Sequence, residues 1–479
     1  MTARGRAMAL GLSSALTACS FAPRYAAPAV QTAPPVYQEM DGWKTAQPAD
    51  SVHRGSWWEI FGDPQLSALE ARVTAANQDL KAAFARLQEA RAATRIARAA
   101  FFPTVTAGPT VTRSHTGPNA PSYNGTLGPM VDDFSLQADL SYELDVWGRI
   151  RNSVAAAGAS ERASAADLAT LDLALHAELA GDYFTLRSQD AQVELLDHTV
   201  TDYEQALMLT RTLYEGGAGL ISDVDQAQAQ LETARTQAAD MRLMRSQSQH
   251  AIAALIGESA SSFKLEPLPL DARLAPPAID PGLPSALLER RPDVAAAERR
   301  VASANAQIGI ARAAYFPVFS LAAAGGFEST QTANWLTVPS RLWSLGPQAL
   351  LTVFDGGLHR AQSAAAHATY DEQVANYRST VLTAYQEVED NLAALHELER
   401  ESVSQAAAVE ATAGALEQAQ NRYQGGISTY LEVVVSENAA LAARLTAASI
   451  QLRRLTASVL LVKALGGGWE GRAAPASGS

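Results

Sequence analysis

Two near-identical motifs, ARAAFFP at Ala97–Pro103 and ARAAYFP at Ala311–Pro317, decide the fold of this 479-residue chain. They end 214 residues apart, at Pro103 and Pro317. A second pair, LYEGGAGLISDV from Leu213 and RYQGGISTYLEV from Arg422, follows in the same order at a spacing of 209 residues. Matches that keep their order at nearly constant spacing indicate a tandem duplication. The chain is therefore predicted to contain two copies of one structural unit.

Each motif marks the end of a helix and the start of a strand. The residue before a proline is pushed towards an extended conformation, so helices should end at Pro103 and Pro317. Beyond them the apolar period changes to two, and Phe134, Leu136 and Ala138 alternate with polar residues. The pattern predicts β-hairpins at about 103–145 and 317–355. Aromatic residues at strand ends are typical of a membrane edge, which predicts this junction set: Arg98, Phe101, Phe102, Pro103, Arg312, Tyr315, Phe316 and Pro317.

Two long helices are predicted after each hairpin. The span 150–214 would be on the order of 100 Å long if it were fully helical, which no compact globular domain needs. The last helix carries an apolar seam with heptad spacing, which begins at Leu431, Val434, Asn438, Leu441 and Leu445. These features predict coiled-coil helix pairs.

A glycine pair separates the two long helices of each half. Gly216–Gly217 and Gly425–Gly426 should form the turns at the helix tips. Asp223 and Glu432 then follow near the first turn of the next helix. Glycine suits the end of a helix and an acidic side chain suits its positive N-terminus, so this pattern is explained in part by helix capping alone.

The N-terminus resembles a lipoprotein leader. Arg4 and Arg6 precede an apolar segment that ends in Leu-Thr-Ala-Cys at Cys19. This predicts a signal peptide at 1–18 and lipid attachment at Cys19, and Ser20 after the cysteine favours sorting to the bacterial outer membrane. The alternative is an ordinary signal peptide with a chance cysteine. No later stretch has 18 or more uninterrupted apolar residues, so no transmembrane helix is expected in the mature chain.

Composition excludes several function classes. The formal net charge of −13 argues against binding to a nucleic-acid backbone. The single cysteine excludes a disulfide or a cysteine-based metal cluster within one chain. The sequence HELER at His396–Arg400 lacks the second histidine of a zinc-protease helix. No catalytic residues, cofactor or metal are therefore expected.

Four strands per chain suit a membrane β-barrel that several chains share. An open strand edge cannot be satisfied in lipid, and about eight strands are needed for the smallest filled barrel. Identical chains should then form a symmetric ring, of two, three or four copies by geometry alone. The alternative is a soluble two-sheet protein with coiled-coil arms.

Several longer motifs are similar to the TolC-type outer membrane factors, in particular the NodT-like lipoproteins of RND efflux systems. They are WWEIFGDPQLSAL (Trp57–Leu69), ERRPDVAAAERRV (Glu289–Val301), YELDVWGRIR (Tyr142–Arg151), FDGGLHR (Phe354–Arg360) and the two repeated junction motifs. The resemblance implies a homotrimer in which each chain adds four strands and six main helices to a 12-stranded barrel and a 12-helix periplasmic tunnel. It also implies an exit duct that docks with a periplasmic adaptor and an inner-membrane RND-type pump. A peptide or protein secretion duct and a non-conducting structural lipoprotein remain as alternatives.

The resemblance places the periplasmic gate at the helix tips. Asp223 and Glu432 match its acidic positions, and Tyr423 lies in the same motif. Where relatives often carry a further aspartate this chain has Val435, so closure by Leu431 and Val435 is the favoured hypothesis. In the barrel, Asp139 and Glu143 on the polar face of the second strand are expected to point into the lumen and favour cations.

The predicted organisation has six segments. After the signal peptide come a lipidated tether at 19–56, a first repeat at 57–265, a proline-rich connector at 266–284, a second repeat at 285–467 and a tail at 468–479.

Overall fold

The structure is a computed structural model that describes residues 21–28, 55–121, 123, 125–126, 129–271, 274–277, 279 and 290–467. The predicted signal peptide, the lipid-attachment residue Cys19 and the C-terminal tail lie outside the described residues.

The described elements follow the predicted order of helices and strands, with a short 3₁₀ helix at Trp57–Phe61 before them. They are α1 Pro64–Ala76, α2 Gln78–Ala99, β1 Thr104–His115, β2 Met130–Leu144, α3 Arg149–Glu215, α4 Ile221–Leu255, α5 Pro292–Ala313, β3 Val318–Ser329, β4 Arg341–Leu350, α6 Leu358–Gln424 and α7 Tyr430–Ala464. Two 3₁₀ turns, Thr332–Asn334 and Val338–Ser340, join β3 to β4.

The segment predicted as the first helix of the first repeat forms two helices, α1 and α2. They are separate because Asn77 caps the N-terminus of α2. The Asn77 side-chain oxygen accepts hydrogen bonds from the backbone N–H groups of Asp79 (2.8 Å) and Leu80 (3.0 Å). Its amide group donates to the Leu255 carbonyl at 2.8 Å. An asparagine at this position satisfies backbone donors that a helix start would leave unpaired.

The chain forms two compact units, and each one draws on both sequence repeats. The first comprises residues 1–29, 86–165 and 296–378, and the second comprises 30–85, 166–295 and 379–479. The duplication therefore does not divide the chain into one compact unit per repeat.

The first unit contains an antiparallel sheet with strand order β1-β2-β3-β4. The hairpin of each repeat supplies two neighbouring strands, and β2 pairs with β3 to join them, for example Leu140 opposite Ala323. β1 and β4 are edge strands, and every residue of β1 is exposed. A sheet with two open edges leaves backbone donors and acceptors unpaired along both sides.

The second unit has its core where α1 and the 3₁₀ helix lie against the long helices. Trp57, Leu66 and Val73 are buried against Tyr183 and Phe184 of α3. A further apolar cluster near the helix tips joins Tyr203 and Leu207 of α3, Ala227 and Leu231 of α4, and Tyr430 and Val433 of α7. The buried α4 residues Ala227, Leu231, Ala234 and Ala238 follow one another at spacings of four, three and four residues, as in a heptad seam.

The seam predicted for α7 is only partly correct in its first half. Val434 is buried as predicted, but Leu431 and Asn438 are exposed, and the neighbouring Tyr430, Val433, Glu437 and Ala440 are buried instead. Towards the other end Leu455, Val459 and Val462 are buried as predicted. A straight helix drifts relative to a heptad repeat by about 20° per heptad, so one pattern cannot mark the same buried face along 35 residues. Among the described helices, α7 alone is long and apolar enough to cross a membrane, a property that buried core helices share.

A buried ionic network holds the start of the connector on α3 and α4. The Asp190 carboxylate accepts from Arg187 Nη1 at 2.8 Å and from Arg245 Nε at 2.5 Å. The same carboxylate accepts from the Leu268 backbone N–H at 3.0 Å, and Arg245 Nη2 donates to the Leu265 carbonyl at 2.9 Å. These side chains thus provide the backbone at the start of the connector with the hydrogen-bond partners that a helix or a sheet would otherwise supply.

Candidate functional site

The first helix tip joins α3 to α4 through a glycine turn. Gly217 has a φ of +76°, a left-handed conformation that glycine adopts without strain. The N–H groups of Ala218 and Gly219 donate to the Leu213 carbonyl at 2.9 and 3.0 Å, which closes the last turn of α3. α4 then begins at Ile221 and carries Asp223 in its first turn.

The second tip repeats this geometry between α6 and α7. Gly426 has a φ of +71°, and the Ile427 N–H donates to the Arg422 carbonyl at 2.9 Å. Glu432 lies in the first turn of α7 and forms an ion pair with the Arg422 side chain across the turn. The sequence prediction included Glu432 but missed Arg422. An arginine in the last turn of one helix and a glutamate in the first turn of the next was the signal for this pair.

Apolar side chains project from the second tip. The exposed fractions of Leu431 and Val435 are 54% and 60%, and that of Ile427 is 79%. Tyr423 is half-buried and its ring packs against Tyr430 at a centroid distance of 5.3 Å. Arg422 of the same chain neutralises the charge of Glu432. The side chains of this tip that remain exposed without a partner are therefore the apolar ones. This arrangement suits a constriction formed by Leu431 and Val435.

The two junction motifs have different surroundings in the first unit. In the second motif, the Phe316 ring stacks on the Phe21 ring at a centroid distance of 4.5 Å. It also contacts the Trp147 ring at a centroid distance of 4.9 Å. Trp147 Nε1 also donates to the Pro317 carbonyl at 2.8 Å. In the first motif, the side chain of Phe102 is 72% exposed.

Arg98 and Arg312 are both exposed, but Arg312 also contacts the N-terminal segment, residues 21–28. Arg312 Nη1 donates to the Phe21 carbonyl at 3.4 Å, and Tyr315 contacts the His359 ring at 5.7 Å. Gly309 makes room for Asn152 of α3 and for the segment, since a Cβ there would lie 2.5 Å from Asn152 Nδ2 and 2.8 Å from Ala22 Cβ. Sequence reasoning assigned the motif to the membrane edge without anticipating that residues 21–28 cover its second copy.

The acidic residues predicted for the barrel lumen differ in their pairing. Glu143 accepts two hydrogen bonds from Arg149, at 2.8 Å from Nε and 2.5 Å from Nη2. Asp139 is exposed on β2 opposite Thr106 of β1 and Ala324 of β3. A bidentate arginine neutralises Glu143, so of the two residues predicted for the lumen Asp139 is the one that could favour cations.

One buried cluster has the outline of a catalytic triad. His176 Nδ1 lies 2.5 Å from Glu70 Oε2, and His176 Nε2 lies 3.2 Å from the Thr74 hydroxyl. Burial opposes the charged imidazole, but hydrogen bonds to Asp172 and Glu70 outweigh it and raise the pKa of His176 to about 9. A raised pKa favours the protonated imidazole at neutral pH, and that form cannot take a proton from Thr74, which argues against a general base here. Among the described residues, no group of three or more His, Cys, Asp or Glu side chains is arranged to hold a metal ion.

Comparison with known proteins gives consistent matches over nearly the whole chain. The family described as outer membrane efflux protein matches residues 68–258 and 283–467. The antibiotic efflux pump outer membrane protein ArpC of Pseudomonas putida is 34% identical over 466 residues, which cover 96% of this chain and 95% of ArpC.

Two solved structures show the same fold. A membrane protein from Pseudomonas aeruginosa matches with a TM-score of 0.83 at 30% identity, over 94% of this chain and 100% of that one. The open state of the MtrE outer membrane channel of Neisseria gonorrhoeae matches with a TM-score of 0.79 at 28% identity, over 94% and 98% of the two chains.

Proposed function

The chain belongs to the outer membrane efflux protein family, and from this premise we propose that it is the exit duct of a tripartite efflux pump. In this role it passively conducts small molecules from a periplasmic adaptor and an inner-membrane RND-type pump to the exterior. The observation that carries the proposal is the four-stranded sheet with two open edges. Such a sheet is stable in lipid only if other chains pair with both edges.

The proposed assembly is a homotrimer with a gate at the helix tips. Three copies of the sheet supply 12 strands, enough to enclose a lumen. In the trimer the second tips converge, and Leu431 and Val435 narrow the aperture. Asp223 adds negative charge around it, while Glu432 is balanced by Arg422. The exposure of the apolar side chains supports closure by apolar contact.

We also propose that Cys19 is acylated and anchors the protein in the outer membrane. The support comes from the described residues that follow it. Phe21, two positions after the cysteine, stacks on Phe316 and contacts Trp147 beside the start of β3. A lipid on Cys19 would then enter the membrane at the edge that the aromatic residues mark.

Relatives named as efflux components favour small-molecule efflux over peptide or protein secretion. ArpC is named as part of an antibiotic efflux pump, and a second relative, TtgF of Pseudomonas putida, is named as part of a toluene efflux pump. The proposed partners follow from the duct role. A passive duct needs an energised inner-membrane pump and an adaptor that bridges the periplasm.

Two measurements test the proposal. Purified protein in planar bilayers should conduct, and conductance should rise when the tips are weakened. A deletion strain should become more sensitive to small toxic compounds, and expression of the intact chain should restore resistance. A trimer that never conducts, even with mutated tips, would support the structural lipoprotein instead.

A further inference from the structure

A recess of about 260 Å³ lies behind the second helix tip, between α3, α6 and α7. Asp202, Gln420 and Glu437 line it, and the same three residues line an adjoining cavity of about 50 Å³. We call the two together the tip recess. Its opening is lined by exposed polar residues of α3 and α6, and its floor is the buried side chain of Glu437.

Three buried polar groups at the tip recess have no hydrogen-bond partner. Glu437 is 7% exposed and its Oε2 atom is unpartnered. The hydroxyl groups of Tyr430, which lines the larger cavity, and Tyr203, which lines the smaller one, are buried and unpartnered too. Buried polar groups in folded proteins are nearly always satisfied, so three such groups around one recess indicate a polar ligand.

The chemistry of the lining selects a cation. The side chains around the recess offer carboxylate, amide and hydroxyl oxygens, the ligands that hard cations prefer, and the basic residue Arg444 lines the smaller cavity only. The volume is below the roughly 300–1,000 Å³ of sites for drug-sized ligands but holds an ion with several waters.

We propose that the tip recess binds one small hydrated divalent cation, of the Mg²⁺ type, between the carboxylates of Glu437 and Asp202. Water molecules on the ion donate hydrogen bonds to the hydroxyl oxygens of Tyr203 and Tyr430. The ion links α3 to α7 only two residues beyond Val435, so its binding stabilises the tip in the arrangement seen here. The site goes beyond the proposed duct function, and its chemistry does not depend on conduction.

The test is titration of the purified, metal-depleted full chain in detergent with MgCl₂, followed by calorimetry and by thermal unfolding at constant ionic strength. We expect one ion per chain and a saturable rise in melting temperature at pH 8. Glu437→Gln and Asp202→Asn should each abolish the saturable response. Glu410→Gln, which removes an exposed carboxylate of α6 outside the recess, should retain it.

Two outcomes would overturn the proposal. One is the absence of a saturable response in the unmodified chain at pH 8. The other is an unchanged response in both Glu437→Gln and Asp202→Asn, which would mean diffuse binding to surface carboxylates. Because Asp202 is exposed, its asparagine variant keeps the test valid even if Glu437→Gln disturbs folding. Binding is measured without a membrane, so a failure here is distinguishable from a failure of the duct function.

Discussion

Replacement of Asp190 by alanine should destabilise the second unit far more than the same change at Asp197. Both aspartates lie on α3 and both pair with an arginine of α4. The Asp190 side chain is 1% exposed and compensates Arg187 and Arg245, whereas the Asp197 side chain is 47% exposed and pairs with Arg242. The two aspartates share the residue type, the helix and an arginine partner on α4. A difference in stability between the two alanine variants therefore reports the burial of Asp190 and its second arginine.

The expected magnitudes follow from what each change leaves behind. Loss of one partner from a buried ion pair costs about 3–5 kcal/mol, because an uncompensated charge remains in a medium of low polarity. Loss of an exposed pair costs about 0–1 kcal/mol. The free energy of unfolding should therefore differ between Asp190→Ala and Asp197→Ala by at least about 2 kcal/mol. The double variant Asp190→Ala/Arg187→Met should recover part of the loss, since it removes one of the stranded charges.

The assay is denaturant unfolding of the detergent-solubilised chain, followed by tryptophan fluorescence at low and high salt. Salt screens the exposed pair much more than the buried one. The effect of Asp197→Ala should thus shrink at high salt, whereas that of Asp190→Ala should persist. If the two alanine variants are equally stable, the assignment of the connector attachment to a buried ionic network is wrong.

Three further predictions concern the gate, the histidine cluster and the N-terminal segment. Leu431→Ser or Val435→Ser should raise single-channel conductance in planar bilayers more than Glu432→Gln, because the apolar side chains are uncompensated and Glu432 is paired; the opposite ranking would reject an apolar gate. The raised pKa of His176 means that its contribution to stability is fully present below about pH 6.5 and is lost as the pH rises to about 9. The unfolding free energy should therefore fall over this window in the unmodified chain and fall less in His176→Gln, and equal slopes would count against the assignment. Gly309→Ala should displace residues 21–28 and speed tryptic cleavage after Arg24, whereas Gly158→Ala, where an added Cβ meets no atom within 4 Å, should leave the cleavage rate unchanged.

Features set by local chain chemistry were predictable from the sequence. The helices before Pro103 and Pro317 end at Ala99 and Ala313, within four residues of each proline. The second glycine of each pair, Gly217 and Gly426, lies at its tip because only glycine adopts the required left-handed conformation without strain. The alternating residues of β2 and β3 form strands, and membership of the outer membrane efflux family is confirmed by the comparisons.

Features that depend on distant neighbours were not predictable. The buried face of α7 begins at Tyr430 rather than Leu431, because the packing of Tyr203 and Leu207 against this helix selects the face. Arg149 and Arg422 neutralise two of the predicted acidic site residues, Glu143 and Glu432. Neither pairing appears in a periodicity, since each depends on where a turn brings two side chains together.

The sequence by itself determined the duplication, the order of helices and strands, the tips and the junctions, because these follow from backbone preferences and short-range periodicity. Only the tertiary structure decided that β2 pairs with β3 across the two repeats, that residues 21–28 cover one junction and not the other, and that Glu437 is buried behind the gate. The physical reason is that pairing, burial and charge compensation are properties of neighbours in space, and those neighbours lie far apart in the chain.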